Sequence, residues 1–134
     1  MTKRSELGNL GEDIACEYLK NKKYKILARN YRKPWGEIDV VAKAKDKTLV
    51  FVEVKTVKES GSAYAVSAEN QMTPAKINKF KRVAQLFAGE YKHLINEKIG
   101  SRLDVLAITL PYDAPERTLV ELLNIAKINH YENI

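Results

Sequence analysis

Glu37, Asp39, Glu53 and Lys55 are the residues whose types and spacing could do chemistry. Residues 36–43 and 48–57 are β-branched and read as two strands joined by the polar turn Lys45-Asp46-Lys47. Side chains alternate faces along a strand, so Leu49, Phe51, Glu53 and Lys55 share one face and Val50, Val52 and Val54 the other. Glu37, Asp39 and Val41 likewise share a face, opposite Ile38, Val40 and Ala42. A three-residue loop centred on Asp46 sets Val41 against Phe51, Asp39 against Glu53 and Glu37 against Lys55; a four-residue loop would break this matching. Directly opposed residues have Cβ atoms about 4.5–5.5 Å apart, and like charges there are destabilising. Such a pair needs a shared proton, a basic neighbour or a bound cation. The four groups sum to −2, which suits a divalent cation. Oxygen-only ligands favour Mg²⁺ or Mn²⁺ over zinc. The competing reading is an ion-pair network that only specifies the fold. Glu-Val-Lys in a strand is common by chance, so the weight rests on its combination with Asp39 and with a buried opposite face.

Several elements must position this cluster. Residues 5–22 read as a helix, with Leu7, Leu10, Ile14 and Tyr18 at helical spacing. Residues 24–31 read as a first strand, ahead of the hairpin. Residues 58–72 form a loop around Ser60-Gly61-Ser62. Thr73-Pro74 then starts a second helix, Thr as N-cap and Pro in the first turn, with Ile77, Phe80, Ala84, Phe87 and Tyr91 as its apolar face. Residues 102–110 read as a further strand, and residues 119–128 as either a last strand or a short helix. The order α-β-β-β-α-β implies an α/β fold with a mixed central sheet flanked by helices. Two more residues face the cluster as candidates. Glu12 borders the apolar arc of the first helix between Gly8 and Gly11, small residues that permit close approach to the sheet. Lys76 falls within the stripe of the second helix, where it either snorkels to solvent or points at the site. On spacing alone, both read as ordinary boundary residues.

Composition bounds the partners. The chain has 134 residues, the size of a single domain spanning residues 1–134. Cys16 is the only cysteine, which excludes an intrachain disulfide and a Cys-based zinc finger. His93 and His130 lack ligand-spaced neighbours. There is no long apolar run and no secretory pattern at the start, so a cytoplasmic protein without membrane partners is expected. Lys and Arg number 23 against 17 Asp and Glu, a net +6 that favours a polyanionic partner such as nucleic acid. A basic surface without a partner is the alternative.

Gly8-x-x-Gly11-Glu12, Arg29-Asn30, Gly36-Glu37-Ile38-Asp39, Phe51-Val52-Glu53-Val54-Lys55 and Arg102-Leu103-Asp104-Val105 follow one another in the chain. In that order they resemble the YraN-like family of small bacterial proteins predicted to be endonucleases. More distantly, the pattern is similar to archaeal Holliday-junction resolvases and to the restriction-endonuclease-like fold. The resemblance implies a metal-dependent nuclease in which Asp39 and Glu53 bind Mg²⁺ (or Mn²⁺), Lys55 is the catalytic lysine and Glu12 the helix acid completing the site. Ile38 stands where that fold often has proline, at a position that varies widely. The Val54 carbonyl would be a further metal ligand. Lys76, Lys79, Arg82, Arg29 and Arg32 are candidates for phosphate contacts, and Lys58 with the Ser60-Gly61-Ser62 loop for closing over the substrate. No recognition helix is evident, so the expected substrate is nucleic acid, DNA in the first instance, chosen by structure rather than sequence. The alternative is a nucleic-acid-binding protein of the same fold that does not cleave. A homodimer is compatible with the apolar residues 119–131, which could equally complete the core.

Overall fold

The structure, a computed structural model, describes residues 3–59, 69–96 and 98–134. Its elements are α1 (Lys3–Asn21), β1 (Lys25–Lys33), β2 (Gly36–Lys43), β3 (Leu49–Lys58), α2 (Pro74–Glu90), β4 (Ser101–Leu110), α3 (Leu119–Ile125) and β5 (Lys127–Tyr131). The five strands form one sheet in the order β1-β2-β3-β4-β5. Neighbours are antiparallel except β3 and β4, which run parallel along their whole length. This is the expected α/β arrangement, a mixed sheet with helices on both faces. The ambiguous tail is both a helix and a strand. Thr118 caps α3 by accepting the Glu121 N–H at 3.2 Å, and β5 then extends the sheet beyond β4.

Each sheet face has its own core. On one side Ile14, Ala15 and Leu19 of α1 and Leu122 of α3 pack on Val40, Ala42, Val50 and Val52. On the other, Phe80, Val83, Ala84 and Phe87 of α2 pack on Val41, Leu49 and Phe51. Of the three valines expected to be buried, Val50 and Val52 are fully so and Val54 partly, and β3 is a central strand. Helix α2 starts where its sequence directs: the Thr73 hydroxyl accepts the Lys76 N–H at 3.3 Å, and Pro74 occupies the first turn. Gly11 is what brings α1 onto the sheet. A Cβ there would lie 1.9 Å from Thr56 Oγ1, so only glycine allows this contact with β3. Gly8 faces open space and plays no such part.

The β2–β3 turn is the expected three-residue loop. Lys47 adopts φ +75°, and the Ala44 N–H donates to the Thr48 carbonyl at 2.9 Å. The ladder then pairs Lys43 with Leu49, Ala42 with Val50, Val41 with Phe51 and Val40 with Val52, the register read from the sequence. It stops there, which corrects the expectation for the charged pairs. Asp39 and Glu53 are not ladder partners, nor are Glu37 and Lys55. Beyond Val40, strand β2 stays paired with β1 as far as Gly36, while β3 continues against β4 as far as Lys58. The alternation in β2 also breaks at this point, since Ile38 joins the α2 core rather than that of Val40 and Ala42.

Candidate functional site

The parting of β2 and β3 creates the site, and Asp39 sits at the fork. Its Oδ2 accepts the Val54 N–H at 2.8 Å, so a side chain takes the place of a backbone partner just past the last ladder pair. Glu53 is close enough for its carboxyl to share a proton with that of Asp39. Lys55 Nζ lies 3.3 Å from Glu53 Oε1. Glu37, expected opposite Lys55, instead pairs with its β1 neighbour Arg32 at 3.4 Å. Glu12 reaches the fork from α1, close enough for its charge to act on Asp39, and has Arg29 at 3.9 Å.

The electrostatics follow from this crowding. Burial raises the Glu53 carboxyl, and repulsion from Asp39 adds to it; Lys55 only partly opposes them, and the value reaches about 7. Burial also raises Asp39, with Glu37 adding to the effect and the Val54 N–H working against it. Glu12 is raised by burial first and by Asp39 second. Glu37 and Glu12 each have an arginine. The Asp39–Glu53 pair has only Lys55, so two carboxylates face one ammonium.

Among the described residues no three His, Cys, Asp or Glu side chains form a metal cage by themselves. That donor set still fits one kind of ion. Mg²⁺ is commonly held by one or two carboxylates and otherwise keeps water or takes substrate phosphate oxygens. Two half-buried carboxylates with raised affinity for protons, beside an open groove, offer that chemistry.

The groove has a volume of about 450 Å³ and runs from the fork across to α2. Glu53 and Lys55 line it together with Arg32, Lys76 and Lys79, over Phe80 and Val83. Lys76 and Lys79 are exposed and, among the described residues, have no carboxylate partner. The other two cations do not join them. Arg29 is held by Asp13 at 2.9 Å on the α1 side, and Arg82 is exposed on α2 outside the groove lining. The Ser60-Gly61-Ser62 loop lies outside the described residues. Sequence reasoning passed over Trp35, which lines the same groove; a lone tryptophan in the tight Pro34-Trp35-Gly36 turn was the available signal.

A second polar cluster was visible only as a motif. Asp104 is fully buried and accepts from Arg102 Nε at 3.1 Å, from the Asn133 N–H at 3.0 Å and from His130 Nε2 at 2.8 Å. The other His130 nitrogen meets the Tyr18 hydroxyl at 3.2 Å. Burial works to raise Asp104, but the bonds from His130, Arg102 and Asn133 outweigh it and hold the carboxyl below its ordinary value. The cluster fastens β5 and the residues after it to β4 and α1.

Fold and site define an α/β protein with a carboxylate pair and a lysine where two central strands part. The chain belongs to the family described as "Uncharacterised protein family UPF0102", whose model matches residues 11–108. A UPF0102 protein of Alkaliphilus oremlandii is 40% identical over 132 residues, covering 96% of each chain. One of Clostridium botulinum is 42% identical over 105 residues, covering 78% of this chain and 80% of its own. One of Campylobacter lari is 43% identical over 101 residues, covering 75% and 81%. Among solved structures, "Structure of EndoMS-dsDNA2 complex" is similar at a TM-score of 0.40 and 15% identity, over 70% of this chain and 34% of that one. No helix among the described residues is long and apolar enough to cross a membrane.

Proposed function

We propose that this protein is a metal-dependent nuclease that hydrolyses phosphodiester bonds, with DNA of particular structure as its substrate. The observation that carries the reading is the under-compensated Asp39–Glu53 pair with Lys55 at 3.3 Å, opening onto a groove lined by further cations. A fold-specifying network would have no need to leave two half-buried carboxylates so short of positive charge. Asp39, Glu53 and the Val54 carbonyl would hold a Mg²⁺ or Mn²⁺ ion, and Glu12 would reach it directly or through water. When bound, such an ion neutralises phosphate charge and acidifies water.

The remaining work falls to the chain's own groups. Lys55 would donate a hydrogen bond to a phosphate oxygen and so stabilise charge that develops there. Glu53, at about 7 without the ion, would give up its proton on binding it, so that metal affinity should rise with pH. The Val54 N–H fixes one Asp39 oxygen and so orients the other. Lys76, Lys79 and Arg32 would hold the substrate backbone.

The test is a cleavage assay on labelled single-stranded, duplex, flap and four-way-junction DNA and on RNA, each with Mg²⁺, Mn²⁺ or EDTA. Cutting should require the metal and vanish in both Glu53→Ala and Lys55→Ala. Melting curves form a second arm. Mn²⁺ at about ten times its Kd should stabilise the wild type by about 1.4 kcal/mol and leave Glu53→Ala unmoved. Binding without cutting on every substrate, with no metal effect on melting, would leave a non-cleaving nucleic-acid-binding protein.

A further inference from the structure

The groove contains one group that phosphate chemistry does not use. Trp35 is the only tryptophan of the chain, and 47% of its surface is exposed. Large aromatic side chains are normally drawn into a core, as Phe51, Phe80 and Phe87 are here; Tyr112 and Tyr131 are also exposed, but neither lines the groove. Phe87 packs edge-on against Tyr31 at 4.9 Å and against Phe51 at 5.5 Å, and Tyr91 lies 4.6 Å from Phe87. Among the described residues Trp35 has no aromatic or cationic partner of this kind.

Its position is held by the backbone. Lys33 and Gly36 close the β1–β2 hairpin as a cross-strand pair, leaving only Pro34 and Trp35 at the tip. The proline ring restricts one of these two residues. Gly36 then adopts φ +150° against Val83 of α2, where a Cβ would come within 2.4 Å of Val83 Cγ2. A short tip anchored at its base presents the indole at little further loss of freedom on binding.

The surroundings name the ligand class. Arg32, Lys33, Lys55, Lys76 and Lys79 line the groove against Glu37 and Glu53, five cations to two carboxylates. An exposed indole beside a cationic channel is the pairing that binds nucleic acid through phosphates on one side and a base face on the other. A base within a duplex already has both faces stacked, so an indole beside the backbone finds a free face only where a base is unpaired.

We propose that Trp35 is a stacking platform for an unpaired base, so that the groove takes single-stranded nucleic acid or the unpaired part of a branched one. This deepens the functional reading above and rests on it, because it assumes that the same groove holds the phosphodiester backbone.

The test separates the two claims by measuring binding without cleavage, in EDTA. The single tryptophan reports directly: its fluorescence should be quenched by an oligothymidylate or oligouridylate of about ten nucleotides, and not by a blunt duplex of equal charge. By anisotropy, Trp35→Ala should weaken oligothymidylate binding by about 5- to 150-fold, and Trp35→Phe by much less. Duplex affinity should be unchanged. An abasic oligonucleotide should bind the wild type as weakly as oligothymidylate binds Trp35→Ala. Thermal melting of both variants checks that they fold, as expected for an exposed side chain. If Lys76→Ala and Lys79→Ala weaken every substrate while Trp35→Ala changes nothing, stacking is wrong and the nucleic-acid groove stands. If no oligonucleotide binds the wild type, both readings fall together.

Discussion

Replacing Glu53 by glutamine should make the protein more stable, and only at the higher end of the pH range. Burial and Asp39 raise the Glu53 carboxyl from its ordinary 4.5 to about 7. At about 1.4 kcal/mol per pH unit, ionising it in the native state costs about 3 kcal/mol relative to the unfolded chain. The folded acid holds its proton more tightly than the unfolded one. Its contribution to stability is therefore complete below pH 4.5 and is lost as pH rises through about 7. Glutamine stays neutral, so the variant's advantage over wild type should be near zero at about pH 4.5 and full at about pH 8. The half-buried Lys55 partner at 3.3 Å already lowers that value, so its loss is included and the net gain is about 3 kcal/mol. In a domain of this size the gain would raise Tm by about 10 °C. Urea unfolding followed by circular dichroism in EDTA, for both proteins across this pH range, measures it directly. A variant no more stable than wild type at about pH 8, or a gain that ignores pH, would refute the electrostatic account of the site.

Two further substitutions probe the frame. Asp104→Asn removes the fully buried carboxylate of a partly exposed ion pair and should lose about 3 kcal/mol near neutrality. Because the native carboxyl lies below its ordinary 3.8, that stabilisation exists above 3.8 and disappears as pH falls through the native value. The gap between variant and wild type should therefore narrow in acid melts; a constant gap would mean that packing, not charge, holds the cluster. Gly11→Ala forces a Cβ into Thr56 Oγ1 and should destabilise by about 1–3 kcal/mol in chemical denaturation. Gly11→Ala combined with Thr56→Ala should recover at least half of that loss, and full additivity of the two changes would place the clash elsewhere.

The sheet was legible because its signals were local. Apolar matching of Val41 with Phe51 and the short Lys45-Asp46-Lys47 turn fix a register, and a register propagates along a strand. What alternation could not reveal is where a ladder ends. The fork depends on one bond from the Asp39 side chain to the Val54 backbone, which no pattern of polar and apolar residues encodes. Extending the ladder past it misplaced Glu37, whose partner Arg32 lies on the strand that alternation leaves on the other side. Residues 119–131 were ambiguous because they hold two elements, a capped helix of seven residues and a strand of five, each too short for a clean period. His130 looked idle in sequence because its partners Asp104 and Tyr18 lie 26 and 112 residues away. Asp39, Glu53 and Lys55 were recoverable as a cluster because two neighbouring strands carry them; the groove across from them was not, because its far wall comes from α2.

The bond between Asp39 and Val54 gives the protein a built-in spectroscopic probe. Most amides in the middle of a sheet donate to another backbone carbonyl, and their resonances report only whether the sheet is intact. The Val54 amide donates to an ionisable side chain instead. Its proton and nitrogen shifts should follow the charge on that carboxyl, and its solvent exchange should track how long the carboxyl keeps it. Anything that draws on Asp39 from the other side, whether a proton, a cation or a phosphate-bearing ligand, must register at this one backbone position. A single assigned cross-peak can thus follow occupancy of the fork without any substrate being turned over.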